Sequence, residues 1–255
     1  MKYEVLTPVG ARVTDIRVDD ITSDDVTELK RILSEHGVVV MPEQFVDDIA
    51  FLAFLQAFGE LMFTTGETPV DGFPDLNVIS NVGRTTPPKS NFHVDTSYVR
   101  HPPAYTALRA VEVPAQGGQT QFSNQYAAYD TLPADVREKL ADAVVTHVVT
   151  GLELGEDEET SADHRLFLDH PISGRTALYL SAPARCAAVT GVQPEETRAT
   201  VDYLVGHSTR DDNLLRHSWS PGDVVMWDNR CVMHRADHAG VVGDRVMHRG
   251  MVSSS

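Results

Sequence analysis

The sequence predicts a mainly β fold with flanking helices, of the sandwich or jelly-roll kind, and three observations predict it. Short apolar runs recur through the second half of the chain, Gly and Pro signals divide them, and no regular alternation of strand and helix links them into a doubly wound sheet. A chain of 255 residues without repeats or a linker-like stretch reads as one domain spanning 1–255, long enough to bury a sizeable core.

Ser23 and Asp24 offer an N-cap for a helix over Val26 to Glu35, whose Val26, Leu29, Ile32 and Leu33 share one face and whose stop is Gly37. Val38 to Met41 then reads as a buried strand. Asp47 or Asp48 opens a second helix through Phe51, Phe54, Leu55 and Phe58, closed by Gly59, and both helices are expected to cover a sheet. From Thr64 to Ser90 the chain turns polar and rich in Gly and Pro, with Leu76 to Ile79 its one strand-like run, so a long lid-like loop is expected. Strands follow at Tyr105 to Val113, Thr120 to Phe122, Val144 to Val149, Ala177 to Leu180, Val224 to Asp228 and Arg245 to Val252. Short helices interrupt them at Asn124 to Thr131, Ala134 to Ala143 and Pro194 to Val205. The acidic stretch Gly155 to Glu159 reads as a solvated loop.

Charge narrows the function classes. With 37 acidic and 21 basic residues the formal net charge is −16, which repels phosphate backbones and anionic lipid and argues against nucleic-acid and membrane partners. Cys186 and Cys231 are the only cysteines, too few for a disulfide framework and without CxxC spacing, so a reducing compartment is expected. The start Met1-Lys2-Tyr3-Glu4 lacks an apolar leader, and no run approaches the roughly 18 apolar residues of a membrane span. The expectation is a cytoplasmic protein; homo-oligomerisation is left open.

Imidazole is the commonest transition-metal ligand, so the eleven histidines are the first place to look for chemistry. His36, His147, His164, His207 and His217 have no acidic or histidine neighbour at ligand spacing and read as surface or packing residues. The pair His93-x-Asp95 differs, because residues two apart on an extended strand point to the same side and can share one metal. It needs a third ligand, and His234, after the run Met226-Trp227-Asp228-Asn229-Arg230, is the candidate. Reading His234 and His238 as helical i, i+4 zinc ligands of a hydrolase fails locally: HRADH lacks the Glu beside its first His, and Gly240 follows too soon. In Arg245 to Val252, period-two alternation puts Arg245, Met247, Arg249 and Met251 on one side, with the two arginines roughly 13 Å apart. On an exposed edge they would be solvated; inside a jelly roll they would demand anions.

The ordered set His93-x-Asp95, Gly117-Gly118-Gln119-Thr120, Trp227-Asp228-Asn229-Arg230 to His234, Arg245 and Met247-His248-Arg249 resembles the taurine dioxygenase and 2,4-dichlorophenoxyacetate dioxygenase family of Fe(II)- and 2-oxoglutarate-dependent oxygenases. The likeness runs from Phe58-Gly59-Glu60-Leu61 through His170-Pro171 to Arg249. It implies a double-stranded β-helix, a cupin-like jelly roll, and a cytoplasmic oxidoreductase that turns 2-oxoglutarate and O₂ into succinate and CO₂ while oxidising, usually hydroxylating, a C–H bond.

Residue by residue, the resemblance makes His93, Asp95 and His234 the iron ligands, a two-His-one-carboxylate set that leaves one face of the metal open. It makes Arg245 the partner of the far carboxylate of 2-oxoglutarate, with Thr120 beside it, and gives Gly117 and Gly118 the turn that brings this strand under the cosubstrate. Arg249 becomes the arginine that holds an anionic group of the substrate. Asp95 argues against the halogenases of this group, which lack that carboxylate. On the substrate side the chain departs from taurine-type enzymes: Met62-Phe63-Thr64-Thr65 stands where they carry histidines, and Lys89 falls near the position of their asparagine. Taurine is therefore not expected. Met62 and Phe92, together with Phe63 and Tyr98, suggest a more apolar pocket, with Lys89 a further substrate-binding candidate, for a small carboxylate- or other anion-bearing molecule. A jelly-roll sensor that binds metal without catalysis, and a zinc hydrolase, are the competing readings.

Overall fold

A computed structural model describes residues 1–84 and 90–253. Lys89 lies outside the described residues. A nine-stranded sheet carries most of the β structure, in the spatial order Tyr3–Val5, Ala11–Val13, Val38–Met41, Val224–Asp228, Tyr105–Glu112, Val246–Val252, Phe73–Ser80 and Pro69–Val70, with Leu61–Met62 also paired to Val246–Val252. Ala11–Val13 and Val38–Met41 run parallel, and the other named pairs are antiparallel. A second sheet of Leu214–His217, Thr120–Asn124 and Val232–Ala236 is extended by a bridge from His93 to His234. Ser161–Arg165, Val144–Val148 and Cys186–Val189 form a third sheet, and Phe167–Asp169 pairs with Thr176–Leu178. This is the jelly roll the strand pattern predicts.

The large sheet is buried on both faces, which explains why its central strands read as unbroken apolar runs. Val39 and Met41 pack with Leu29, Ile32, Phe51 and Phe54 under the helices Ser23–His36 and Asp48–Gln56, while the alternate Val38 and Val40 pack with Phe122, Trp227 and Met247 between the sheets. Val224 and Met226 likewise turn to the helices, Val225 and Trp227 to the inner space. At Gly250 the second helix comes so close that an added Cβ would overlap the Leu55 side chain and force it to move. On the same outer face His248 and Arg109, paired in register, both bond to Asp48 Oδ1, at 2.7 Å from His248 Nδ1 and from Arg109 Nη2. They fasten the helix N-terminus to the sheet.

Several boundaries differ from expectation for local reasons. The first helix is capped by Thr22: its hydroxyl accepts from the Asp25 backbone N–H at 3.2 Å, and the Asp25 carboxylate accepts from the Thr22 N–H at 3.0 Å. This reciprocal box outcompetes Ser23 or Asp24. The second helix begins after Asp47 and ends at Gln56, before Phe58. Within Thr64 to Ser90 the strand is longer than its apolar run, covering Phe73–Ser80, because pairing to Pro69–Val70 extends it back to Phe73 and pairing to Val246–Val252 carries it on to Ser80. The short strands Ala11–Val13, Ser161–Arg165, Cys186–Val189 and Leu214–His217 carried too little apolar pattern to be expected. Val232–Ala236 is a strand, which removes the helical spacing the zinc-hydrolase reading requires. Among the described residues no helix is long and apolar enough to cross a membrane.

Candidate active site

His93 and His234 meet through two backbone hydrogen bonds, each N–H donating to the other's carbonyl at 3.0 Å, and their rings stand 4.4 Å apart between centroids. Because the segment is extended, Asp95 follows His93 onto the same side, while Phe92 and Val94 turn into an apolar cluster with Leu180 and Met233. Asp95 Oδ1 lies 3.6 Å from His93 Nε2, and Asp95 Oδ2 lies 3.7 Å from His234 Nε2. Ligand atoms from all three residues fall within 4.8 Å of one another. Such separations leave room for one ion with bonds of roughly 2.1 Å. The set of two imidazoles and one carboxylate suits non-haem Fe(II).

Neighbouring groups fix these side chains. His93 Nδ1–H donates to the Asn91 carbonyl at 2.8 Å, which turns the Nε2 lone pair toward Asp95. The Trp227 indole N–H donates to Asn229 Oδ1 at 3.1 Å, Asn229 Nδ2 donates to Thr106 Oγ1 at 2.8 Å, and Thr106 donates to Asp95 Oδ2 at 2.8 Å. All four side chains of this relay are buried. Burial alone would raise the Asp95 carboxyl, but the close contacts of His234 and His93 and the charge of Arg249 hold it well below the usual carboxylate range. Burial lowers the His234 imidazole to about 3, so it is neutral and available as a ligand at neutral pH.

A cavity of about 330 Å³ opens beside the three residues and is lined by His93, His234, Trp227, Leu108, Arg245 and Arg249. The edge reading of the arginines does not hold: Arg245 is 1% and Arg249 8% exposed. Arg245 Nε donates to the Gly118 carbonyl at 2.8 Å and Nη2 to Thr120 Oγ1 at 3.2 Å, while Nη1 has no partner among the described residues. Gly118, at φ 72°, holds a conformation that favours glycine, and a Cβ there would press on Pro114 Cγ at 2.9 Å and Arg245 Cδ at 3.0 Å. Thr120 Oγ1 also accepts from the Trp219 indole at 3.0 Å. Both acceptor sites of the hydroxyl are thereby used, and its proton is left to point at a ligand. Burial lowers the Arg245 guanidinium to about 10, still charged at neutral pH. A buried cation with a free N–H calls for an anion.

Comparison with known proteins decides the family. A family described as "Taurine catabolism dioxygenase TauD, TfdA family" matches residues 2–251. The chain belongs to this family. It is 31% identical, over 94% of its own length and 92% of the relative's, to the alpha-ketoglutarate-dependent 2,4-dichlorophenoxyacetate dioxygenase of Cupriavidus pinatubonensis. Over 89% of its length and 81% of the relative's it is 29% identical to the alpha-ketoglutarate-dependent sulfate ester dioxygenase of Pseudomonas putida. The crystal structure of a taurine dioxygenase from Burkholderia xenovorans superposes with a TM-score of 0.85 at 29% identity, covering 100% of this chain and 91% of that one. The protein is thus an oxidoreductase of the alpha-ketoglutarate (2-oxoglutarate) dependent dioxygenases, a family whose members act on varied small molecules.

The dioxygenase brings His93, Asp95, His234, Thr120, Arg245 and Arg249 around one space. Phe92 is not among the residues lining the cavity; it packs in the apolar cluster with the Arg235 guanidinium carbon 4.7 Å above its ring. Met62 sits on the short strand opposite Met251, likewise off the lining. Four residues of the site were not anticipated: Thr106, Asn229, Trp219 and Glu67. Asn229 stands in a motif already noted for its resemblance. The other three gave no local signal, because their partners are distant in sequence. His170, Asp228 and Arg230 form a separate buried network: His170 Nε2 donates to Asp228 Oδ2 at 3.0 Å, and Arg230 Nε donates to Asp228 Oδ1 at 2.8 Å.

Proposed function

We propose that the protein oxidises, in the simplest case hydroxylates, a C–H bond of a small carboxylate- or other anion-bearing molecule, with Fe(II) held by His93, Asp95 and His234. The single observation that carries this reading is the Nη1 of buried Arg245, without a partner among the described residues, in the cavity that His93 and His234 also line. Arg245 with Thr120 would bind the distal carboxylate of 2-oxoglutarate, and the length of the cosubstrate would then carry its 2-oxo acid end toward the imidazoles. When bound, iron would supply the redox chemistry that couples a 2-oxo acid to O₂. The chain's own residues orient the ligands through the Trp227–Asn229–Thr106 relay and line the space with apolar Leu108 and Trp227. Arg249 offers the positive charge for the substrate's anionic group.

Anaerobic protein with Fe(II) and 2-oxoglutarate is expected to show the weak visible charge-transfer band of a chelated 2-oxo acid, and succinate is expected when O₂ is admitted. His234→Ala should lose both. A protein that binds iron yet gives neither band nor succinate with 2-oxoglutarate would overturn the assignment.

A further inference from the structure

The two cavity arginines differ at their terminal nitrogens. Arg245 Nη1 and Arg249 Nε have no partner among the described residues, but both Nη atoms of Arg249 are engaged: Nη2 is held by the carboxylate of Glu67 and by Asn77 Oδ1 at 3.3 Å, and Asp95 Oδ1 lies 3.5 Å from Nη1. Glu67 reaches the site from a loop 182 residues away in sequence and lines the cavity with its side chain 28% exposed. Burial raises its carboxyl above the usual range against the pull of Arg249, so its charge is held there at a cost. The loop is anchored on both sides of it. Thr64 and Thr96 hydroxyls bond at 3.0 Å, Thr65 donates to Glu158, and the Thr68 carbonyl accepts from the Val78 N–H at 2.9 Å. A substrate anion aimed at the Nη edge of Arg249 therefore meets occupied nitrogens and a second negative charge.

We propose that Glu67 is a specificity-determining residue: an internal carboxylate that competes with the substrate's anionic group for Arg249, so that an anionic substrate binds only by exchanging with it. The proposal rests on the reading of Arg249 as the substrate anchor. Affinity for a charged substrate is then set by the difference between two ion pairs, and weakly complementary anions are rejected. An uncharged analogue that does not seek Arg249 is insensitive to the competitor.

The test is calorimetric titration of the Mn(II)- and N-oxalylglycine-loaded protein, which does not turn over, with 2,4-dichlorophenoxyacetate and with its uncharged carboxamide. Glu67→Gln is expected to bind the acid about tenfold tighter than wild type and the carboxamide within about twofold. Glu67→Ala, which adds no amide able to donate to the probe, should show the same gain. If the acid binds neither variant more tightly than wild type, including no detectable binding by any of them, or if both probes gain equally, the proposal is overturned. The charge-transfer band of wild-type protein with Fe(II) and 2-oxoglutarate separates the two levels. Its absence removes the functional reading itself, whereas its presence without a gain in the variants removes only the role of Glu67.

Discussion

Thr106 donates its hydroxyl proton to Asp95 across 2.8 Å, joining the strand Tyr105–Glu112 to the turn that carries the carboxylate ligand. Asn229 spends its amide on the same hydroxyl, so Thr106 has its proton directed at Asp95 and nowhere else. Replacing Thr106 by Val keeps the shape and removes the bond. Metal affinity is expected to fall about tenfold, with little change in fold, as is usual when a group orienting a ligand is lost. Titration with Mn(II) followed by paramagnetic resonance checks this; an unchanged affinity would show that Asp95 needs no such support.

Arg245→Gln removes the buried charge while keeping one donor. Its dissociation constant for 2-oxoglutarate is expected to rise by about 10- to 100-fold, and that of Thr120→Val by about fivefold. Arg245→Lys should not restore binding, because an ammonium cannot reach Gly118, Thr120 and a carboxylate with one planar fork. Titration of the charge-transfer band reads all three.

Asp228 is fully buried between His170 and Arg230. Asp228→Asn leaves Arg230 without its counter-charge, and a loss of about 3 kcal/mol in urea unfolding is expected. Burial alone would raise this carboxyl, but hydrogen bonds and charge from Arg230 and His170 hold it below 3.8. With the folded value depressed, the network's contribution is complete above about 3.8 and fades only as pH falls through the lower folded value.

His147 is buried against Ser97 and His164, with Nδ1 2.9 Å from the Ser97 hydroxyl. Burial, then the neighbouring charges of His164 and Arg185, lower it to about 3 from the ordinary 6.5. The unfolded chain takes up a proton below 6.5 that the folded chain refuses. Stability is therefore whole above 6.5 and declines toward pH 3, at about 1.4 kcal/mol per pH unit for this one group. His147→Gln is expected to remove about one proton from the pH dependence of unfolding between pH 6 and 4; a slope identical to wild type would exclude His147 as its source.

The readable part of the molecule was the part governed by local periodicity. Apolar runs such as Val38 to Met41 and Val224 to Asp228 announced strands because both faces of the large sheet are covered. His93-x-Asp95 and Arg245-x-x-x-Arg249 announced shared faces because a strand repeats every two residues. The strand Phe73–Ser80 was half legible, since its polar start is a strand only through its neighbour Pro69–Val70.

The order of motifs in the sequence thus pointed to the β class and the family, and through that resemblance to a candidate ligand trio and a candidate cosubstrate arginine. Only the tertiary structure decided that both arginines are buried, that Trp227, Asn229 and Thr106 form a relay to Asp95, and that Glu67 holds Arg249. The reason is physical. Backbone alternation is written within a few residues, whereas the partner of a buried charge is chosen by which distant segments the sheets bring together, and desolvation makes that choice decisive.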